Sequence, residues 1–175
     1  MSNYLIAFVV LAFAWRLLSV AISARHEKAL KAAGGVEHGA GNSLLLAASH
    51  VLYYVSAIVE SFNGAHVQNL TISIIGIIIY LAAGLVLVSV MRSLGELWTI
   101  KIIVGRQHRL VKRGLFSLVR HPNYFLNIIP ELVGFALALN AYWTLVIGIP
   151  LYLIPLVTRI RQEEKVMRAA FPAYG

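Results

Sequence analysis

Arg120, His121, Pro122, Asn123 and Tyr124 stand side by side in the stretch LVRHPNYF (118–125), within a chain otherwise dominated by apolar residues. A proline in the first turn is a normal helix start, because its missing N–H is one that a helix leaves unpaired anyway. That accounts for Pro122 and accommodates Asn123, but it does not call for a guanidinium and an imidazole beside them. A helix N-terminus presents free N–H groups and the positive end of the dipole, and so attracts anions. With Arg120 and His121 added, the stretch makes a seat for a carboxylate or a phosphate; the alternative is that both residues only touch lipid headgroups. A second charged stretch, TRIRQEEK (158–165), carries Arg159, Glu163 and Glu164. Arg159 and Glu163 are four residues apart, the spacing of an ordinary salt bridge on a solvated helix. If the two stretches meet, they offer both signs of charge in one place, as a zwitterionic ligand requires.

Polar residues also fall inside apolar runs. Tyr124, Asn127 and Glu131 follow an i, i+3, i+7 stripe, and His50, Tyr53 and Glu60, at i, i+3 and i+10, are read as a second one. Ionisable groups in a bilayer are costly and face a protein interior or a cavity. Two such stripes predict a polar-lined pocket within the membrane, although Glu60 also suits a helix-end anchor. The polar segment 23–39, with two glycines and Glu37, reads as a connecting loop or a lid. His26, His38 and His66 lack metal-ligand spacing and are read as solvated, so no metal site is expected. Gly76 and Gly84, with Ala83, read as close helix packing.

These residues are held by a chain of 175 residues that is 59% hydrophobic and 13% charged, with a mean hydropathy of +0.79. Soluble domains carry about a quarter charged residues, so this composition indicates an all-α integral membrane protein. Cysteine and aspartate are absent, which excludes disulfides, thiol nucleophiles and cysteine metal sites and leaves seven glutamates as the carboxylates. A spanning helix needs about 20 apolar residues, which predicts five spans near 3–23, 43–60, 70–91, 124–140 and 142–158. The last two form a hairpin turned at LNAYW. The first is too long for a signal-peptide core and lacks a basic start, so it is expected to be retained. The stretch VGRQHRLVKRG (104–114) reads as extended chain with a turn at Gly114. One domain, 1–175, is expected, with three spans in 1–91 and the charged stretches in 92–175. Fourteen of the fifteen lysines and arginines lie in 24–31, 92–120 and 159–168, and the loops 61–69 and 140–143 hold none. That asymmetry, rather than nucleic-acid binding, explains the net charge of +8, and it predicts an outside N-terminus and a cytoplasmic C-terminus in a bacterial cell membrane. The remaining cation, Arg16, lies inside the first span.

The RHPNY motif, a basic histidine-led strand before it and RIRQEE after the last span resemble the isoprenylcysteine carboxyl methyltransferase family over roughly 92–175. The first half, with RHEKAL, GGVEHG and a second span ending in Glu60, is similar to its bacterial branch associated with alkylpyrone and alkylresorcinol O-methylation. The resemblance implies S-adenosylmethionine as methyl donor, bound from the cytosol, and a lipophilic acceptor entering from the bilayer. Position by position, it implies cofactor contacts from His108, Arg109, Leu110 and Val111 and from His121, Pro122, Asn123 and Tyr124. Glu163 or Glu164 would be a carboxylate on the cofactor, and Arg159 would lie near the acceptor. Leu126 stands where the family often has a small residue, Phe116 where a tyrosine is common, and the tail past Phe171 and Tyr174 is short; no prenylcysteine substrate is therefore assumed.

The expected reaction is in-line methyl transfer to an enol, phenol or carboxylate oxygen, in which positioning does much of the work. If a base is needed, Glu163, Glu164 and Glu131 are the candidates. Two rivals are weighed against this. Membrane sterol reductases resemble the C-terminal half and use NADPH, but they are larger, and no extra site for a dinucleotide's phosphates is visible. A non-catalytic membrane subunit would explain the apolar runs but not the co-located motifs.

Overall fold

The computed structural model describes residues 2–64, 68–105, 111 and 114–171. In chain order the elements are α1 (Asn3–Ala32), β1 (Val36–His38), α2 (Ala40–Asn63), α3 (Leu70–Leu94), β2 (Ile102–Val104), α4 (Asn123–Ala138) and α5 (Thr144–Ala170). All five apolar runs are helices where the sequence places them. Among the described residues, α1, α2, α3 and α5 are long and apolar enough to cross a membrane. The fourth differs: its 16 residues span about 24 Å, short of a hydrocarbon core of about 30 Å. Leu11, Leu85 and Ile154 are among many large apolar side chains left exposed, a surface suited to lipid rather than water.

The helices overrun their apolar cores. Residues 24–32, expected as loop, continue α1, because SARHEKALKAA is rich in good helix formers and Lys31 pairs with Glu27 at 2.7 Å. Gly34, at φ +82°, ends the helix. The Gly35 N–H returns to the Leu30 carbonyl and the Gly34 N–H to that of Lys31, a Schellman stop that needs a left-handed residue. The short β1 that follows pairs antiparallel with β2, Val36 opposite Val104 and His38 opposite Ile102. The expected lid is thus one helix extension and one strand of a two-stranded ribbon.

Backbone contact fixes α3 against α4. A Cβ on Gly76 would lie 2.2 Å from the Ala138 nitrogen, and one on Gly134 would lie 2.6 Å from the Tyr80 nitrogen. The expectation of close packing therefore holds for Gly76, whereas the nearest atom to a Cβ on Gly84 is 3.9 Å away. Phe135 stacks on Tyr54 with centroids 3.9 Å apart and touches Phe8 and Tyr80, joining four helices in one aromatic layer. The α4–α5 turn falls at LNAYW as predicted. Asn140, at φ +54°, accepts from the Asn69 N–H and donates to Ser73. Glu60 does not join a pocket stripe. Its carboxylate accepts from the Trp143 and Thr144 N–H groups and the Thr144 hydroxyl, an anion capping the start of the last helix.

Both α4 and α5 open with a wide π-helical turn, Asn123–Ile128 and Thr144–Gly148. Each turn ends two residues before a proline, Pro130 or Pro150. Proline lacks an N–H and its ring clashes with the carbonyl four residues back, and a π turn is one way a helix absorbs that clash.

Candidate functional site

The two charged stretches meet. His121 and Pro122 stand just before α4, and Glu163 and Glu164 lie near the end of α5. The His121 Nε2 is 3.2 Å from Glu164 Oε1, and its Nδ1 is 3.8 Å from Glu163 Oε1. The Tyr124 hydroxyl donates to Glu163 and accepts from the Arg159 Nε–H at 3.2 Å. The other guanidinium nitrogens donate to the Ser43 hydroxyl at 2.7 Å and to the Ile100 carbonyl. Arg159 is 2% exposed, and among the described residues no carboxylate forms an ion pair with it. The i, i+4 pair with Glu163 does not form, because Tyr124 stands between the two charges. Glu164 instead pairs with Arg168 at 3.1 Å.

Three neighbouring elements support this cluster. The segment between α3 and β2 is docked on the end of α1. The Ile100 N–H donates to Ser23 at 2.8 Å, and the Trp98 carbonyl is 2.8 Å from the His26 Nδ1. Lys101 reaches Glu27 at 2.6 Å. His26 is therefore a partly buried fastener rather than a solvated residue. Asn42 of α2 donates to the Pro155 carbonyl at 3.0 Å and holds α2 beside α5. Ser43 and Ile100 were not candidates from the sequence. A hydroxyl and a carbonyl carry no local signal of a partner 116 or 59 residues away.

The remaining site candidates are placed as follows. Pro122 is buried, and the Asn127 amide donates to Asn123 at 3.2 Å. Asn127 is 1% exposed, and among the described residues neither its Oδ1 nor the buried His121 Nδ1 has a hydrogen-bond partner. Val111 is half-buried, whereas His108, Arg109 and Leu110 lie outside the described residues, as do His66 and Tyr174. Gly114 makes the expected turn, at φ +62°.

Glu131 lies deeper, 2% exposed. Both of its oxygens take N–H groups of Arg16, and Oε1 also accepts from the Tyr54 hydroxyl at 2.5 Å and lies 3.7 Å from the His50 Nε2. The in-membrane stripes therefore converge on a fourth residue, Arg16, which the sequence reading left unpartnered. The signal was present: one cation and one anion, each inside an apolar run, both need a partner. Among the described residues no group of three or more His, Cys, Asp or Glu side chains could hold a metal ion.

The pattern describing the Isoprenylcysteine carboxyl methyltransferase (ICMT) family matches residues 74–169, which contain α4, all but the last residue of α5, and the residues His121, Tyr124, Arg159, Glu163 and Glu164. A protein of Haemophilus influenzae (strain ATCC 51907 / DSM 11121 / KW20 / Rd), described as uncharacterized, is 46% identical over 160 residues, 90% of this chain and 91% of that one. The uncharacterized protein YpbQ of Bacillus subtilis (strain 168) is 28% identical over 154 residues, 87% and 90% of the respective chains. No solved structure matches significantly. This chain belongs to the isoprenylcysteine carboxyl methyltransferase family, a family of membrane methyltransferases.

Proposed function

We propose that the chain transfers a methyl group from S-adenosylmethionine to an oxygen of a lipophilic acceptor, an enol or phenol such as an alkylpyrone, or a carboxylate. The observation that carries this is the meeting of His121 and Tyr124 with Glu163 and Glu164 around the buried Arg159. The group's amino acid end is a zwitterion, and the cluster suits it. Among the described residues, Arg159 brings a positive charge with no carboxylate paired to it, and His121 Nδ1 and Asn127 Oδ1 are buried without a hydrogen bond. Glu163 and Glu164, with side chains 31% and 28% exposed, are open to a ligand entering from the aqueous side.

In this reading Glu163 or Glu164 holds the amino group and His121 helps seat the carboxylate, with Pro122, Asn123 and Tyr124 shaping the wall. His108, Arg109, Leu110 and Val111 are proposed as a further wall on the family resemblance alone. When bound, S-adenosylmethionine supplies an electrophilic methyl on a sulfonium. The protein's part is to align the acceptor oxygen with it and exclude water. Arg159 fixes the Tyr124 hydroxyl and thereby Glu163. Glu131 is assigned a positioning role, since Arg16 and Tyr54 already occupy its oxygens.

A charge-assisted hydrogen bond contributes about 1.5–3 kcal/mol, and each 1.4 kcal/mol is tenfold in affinity. Glu163→Gln and His121→Ala should each weaken S-adenosylhomocysteine binding roughly ten- to a hundredfold in calorimetric titration, with the melting temperature in detergent little changed. Binding of NADPH in place of S-adenosylhomocysteine, or unchanged affinity in both Glu163→Gln and Glu164→Gln, would overturn the proposal.

The cluster is assigned to the cytoplasmic side of a bacterial cell membrane, on the distribution of lysine and arginine. Cysteines introduced singly at Ser61 and Ser117 of this cysteine-free chain should behave oppositely toward an impermeant thiol reagent on intact cells. Ser61→Cys should label and Ser117→Cys should not; the reverse pattern would invert the orientation.

A further inference from the structure

The outward face of α5 changes character where the helix leaves its apolar run. Leu151, Ile154, Thr158, Arg161, Lys165 and Arg168 follow one another at alternating steps of three and four residues, which places them on one stripe of the helix. All six are exposed. Leu151 and Ile154, 61% and 65% exposed, belong to the surface turned to lipid tails, and the same stripe then carries three cations. The 27 residues Thr144–Ala170 rise about 40 Å, which matches a bilayer with its headgroup layers rather than its hydrocarbon core. With Thr144 at one edge of the membrane, residues 161–168 stand in the headgroup layer of the other.

The charge on this stripe is not balanced by the chain. The sequence has no aspartate and seven glutamates, all of them among the described residues. Glu27 and Glu37 are held by Lys31 and Lys101, and Glu131 by Arg16. Glu60 caps the opposite end of α5. Glu163 accepts from Tyr124, and Glu164 binds His121 and Arg168. Among the described residues Arg161, Lys165 and Glu96 form no ion pair. A row of exposed cations at headgroup depth, continuing a lipid-facing stripe, is complementary to lipid phosphate.

We propose that Arg161, Lys165 and Arg168 form a seat for the phosphate headgroups of anionic phospholipids in the leaflet at this end of α5. Glu163 and Glu164 lie within the same two turns and face His121 and Tyr124 instead. Headgroups held on the outward stripe therefore fix the depth at which the charged cluster meets the membrane edge. The seat does not depend on the reaction assigned to that cluster.

The test uses the purified full chain in a neutral detergent and follows its melting temperature. It is titrated with dihexanoyl phosphatidylglycerol, with dihexanoyl phosphatidylcholine or with inorganic phosphate. A ligand that binds the folded state raises the melting temperature with its concentration. Phosphatidylglycerol should stabilise the chain well beyond phosphatidylcholine, and inorganic phosphate should not stabilise it. Each surface cation contributes about fivefold to the binding of anionic lipid, so Arg161→Gln/Lys165→Gln should need roughly twentyfold more phosphatidylglycerol for the same shift. Arg168 is kept in that variant because it also touches Glu164. Both substituted side chains are exposed, so without lipid the variant should melt as the parent does. Arg25→Gln/Lys28→Gln removes equal charge from the end of α1 and should keep most of the preference. At about 1 M salt, where the screening length is about 3 Å, the preference should disappear. Equal stabilisation by the two lipids, equal loss in the α1 and α5 variants, a preference that survives the salt, or a shift produced by inorganic phosphate alone would overturn the site.

Discussion

Arg16→Met should cost about 3–5 kcal/mol of stability, the usual loss when one partner of a buried ion pair is removed and the other is left charged. Glu131 is 2% exposed and both its oxygens are committed to Arg16. Glu131→Gln should be similarly damaging, because it leaves the guanidinium uncompensated inside an apolar bundle. The double variant Arg16→Met/Glu131→Gln should recover a good part of the loss, since neither charge then remains and Tyr54 keeps an oxygen to donate to. Reversible denaturation of the four proteins in one detergent gives the coupling directly. Losses below about 1 kcal/mol for the single variants, adding without coupling in the double, would show that the pair is not what holds α1 to α4. Glu131, read from sequence as a pocket-lining residue and a candidate base, is expected here to act on stability first.

The second large effect is at Arg159. Its guanidinium donates to Tyr124 of α4, Ser43 of α2 and the carbonyl of Ile100 before β2. Arg159→Ala leaves those three acceptors without their donor, at about 1–3 kcal/mol each where buried, and opens a cavity besides. A total loss of several kcal/mol is expected. Arg159→Lys should rescue little of it, because one ammonium on a flexible stem cannot reproduce a planar fork aimed at three acceptors. Any folded Arg159→Lys protein should also bind S-adenosylhomocysteine more weakly, as Tyr124 no longer holds Glu163. Near-complete recovery of both stability and affinity by lysine would show that only the charge matters at this position.

The apolar runs made the five helices legible, because a bilayer-length run of hydrophobic residues admits few alternatives. The C-terminal end of α1 was not, since hydropathy stops at 23 whereas helix propensity and the Gly34 stop carry the helix to Ala32. The β1–β2 ribbon was invisible: three residues per strand carry no period, and the partners Val36 and Val104 are far apart in the chain. At the site, the residue types in RHPNY and RIRQEE announced charge complementarity, and the structure brings His121 to Glu164 and Tyr124 to Glu163. Who pairs with whom was not readable. The i, i+4 rule pointed Arg159 at Glu163, and a tyrosine from another helix intervenes. Likewise Glu60 sat on a stripe with His50 and Tyr53, yet caps the start of α5, a partner no single-helix pattern could supply.

The wide turns before Pro130 and Pro150 carry a consequence for how such a chain tolerates insertions and deletions. A π turn is in effect one extra residue absorbed into a helix, and everything beyond it is rotated by about 100°, the angle one residue subtends in an α-helix. Tyr124, within the first such turn, meets α5, whereas Glu131, beyond it, meets α1 and α2. Losing one residue from 123–128 would regularise the helix and swing Glu131, Gly134 and Phe135 together away from Arg16, Gly76 and Tyr54. A single-codon deletion there is therefore a change of helical phase for half of α4, more disruptive than most substitutions at any one of those positions.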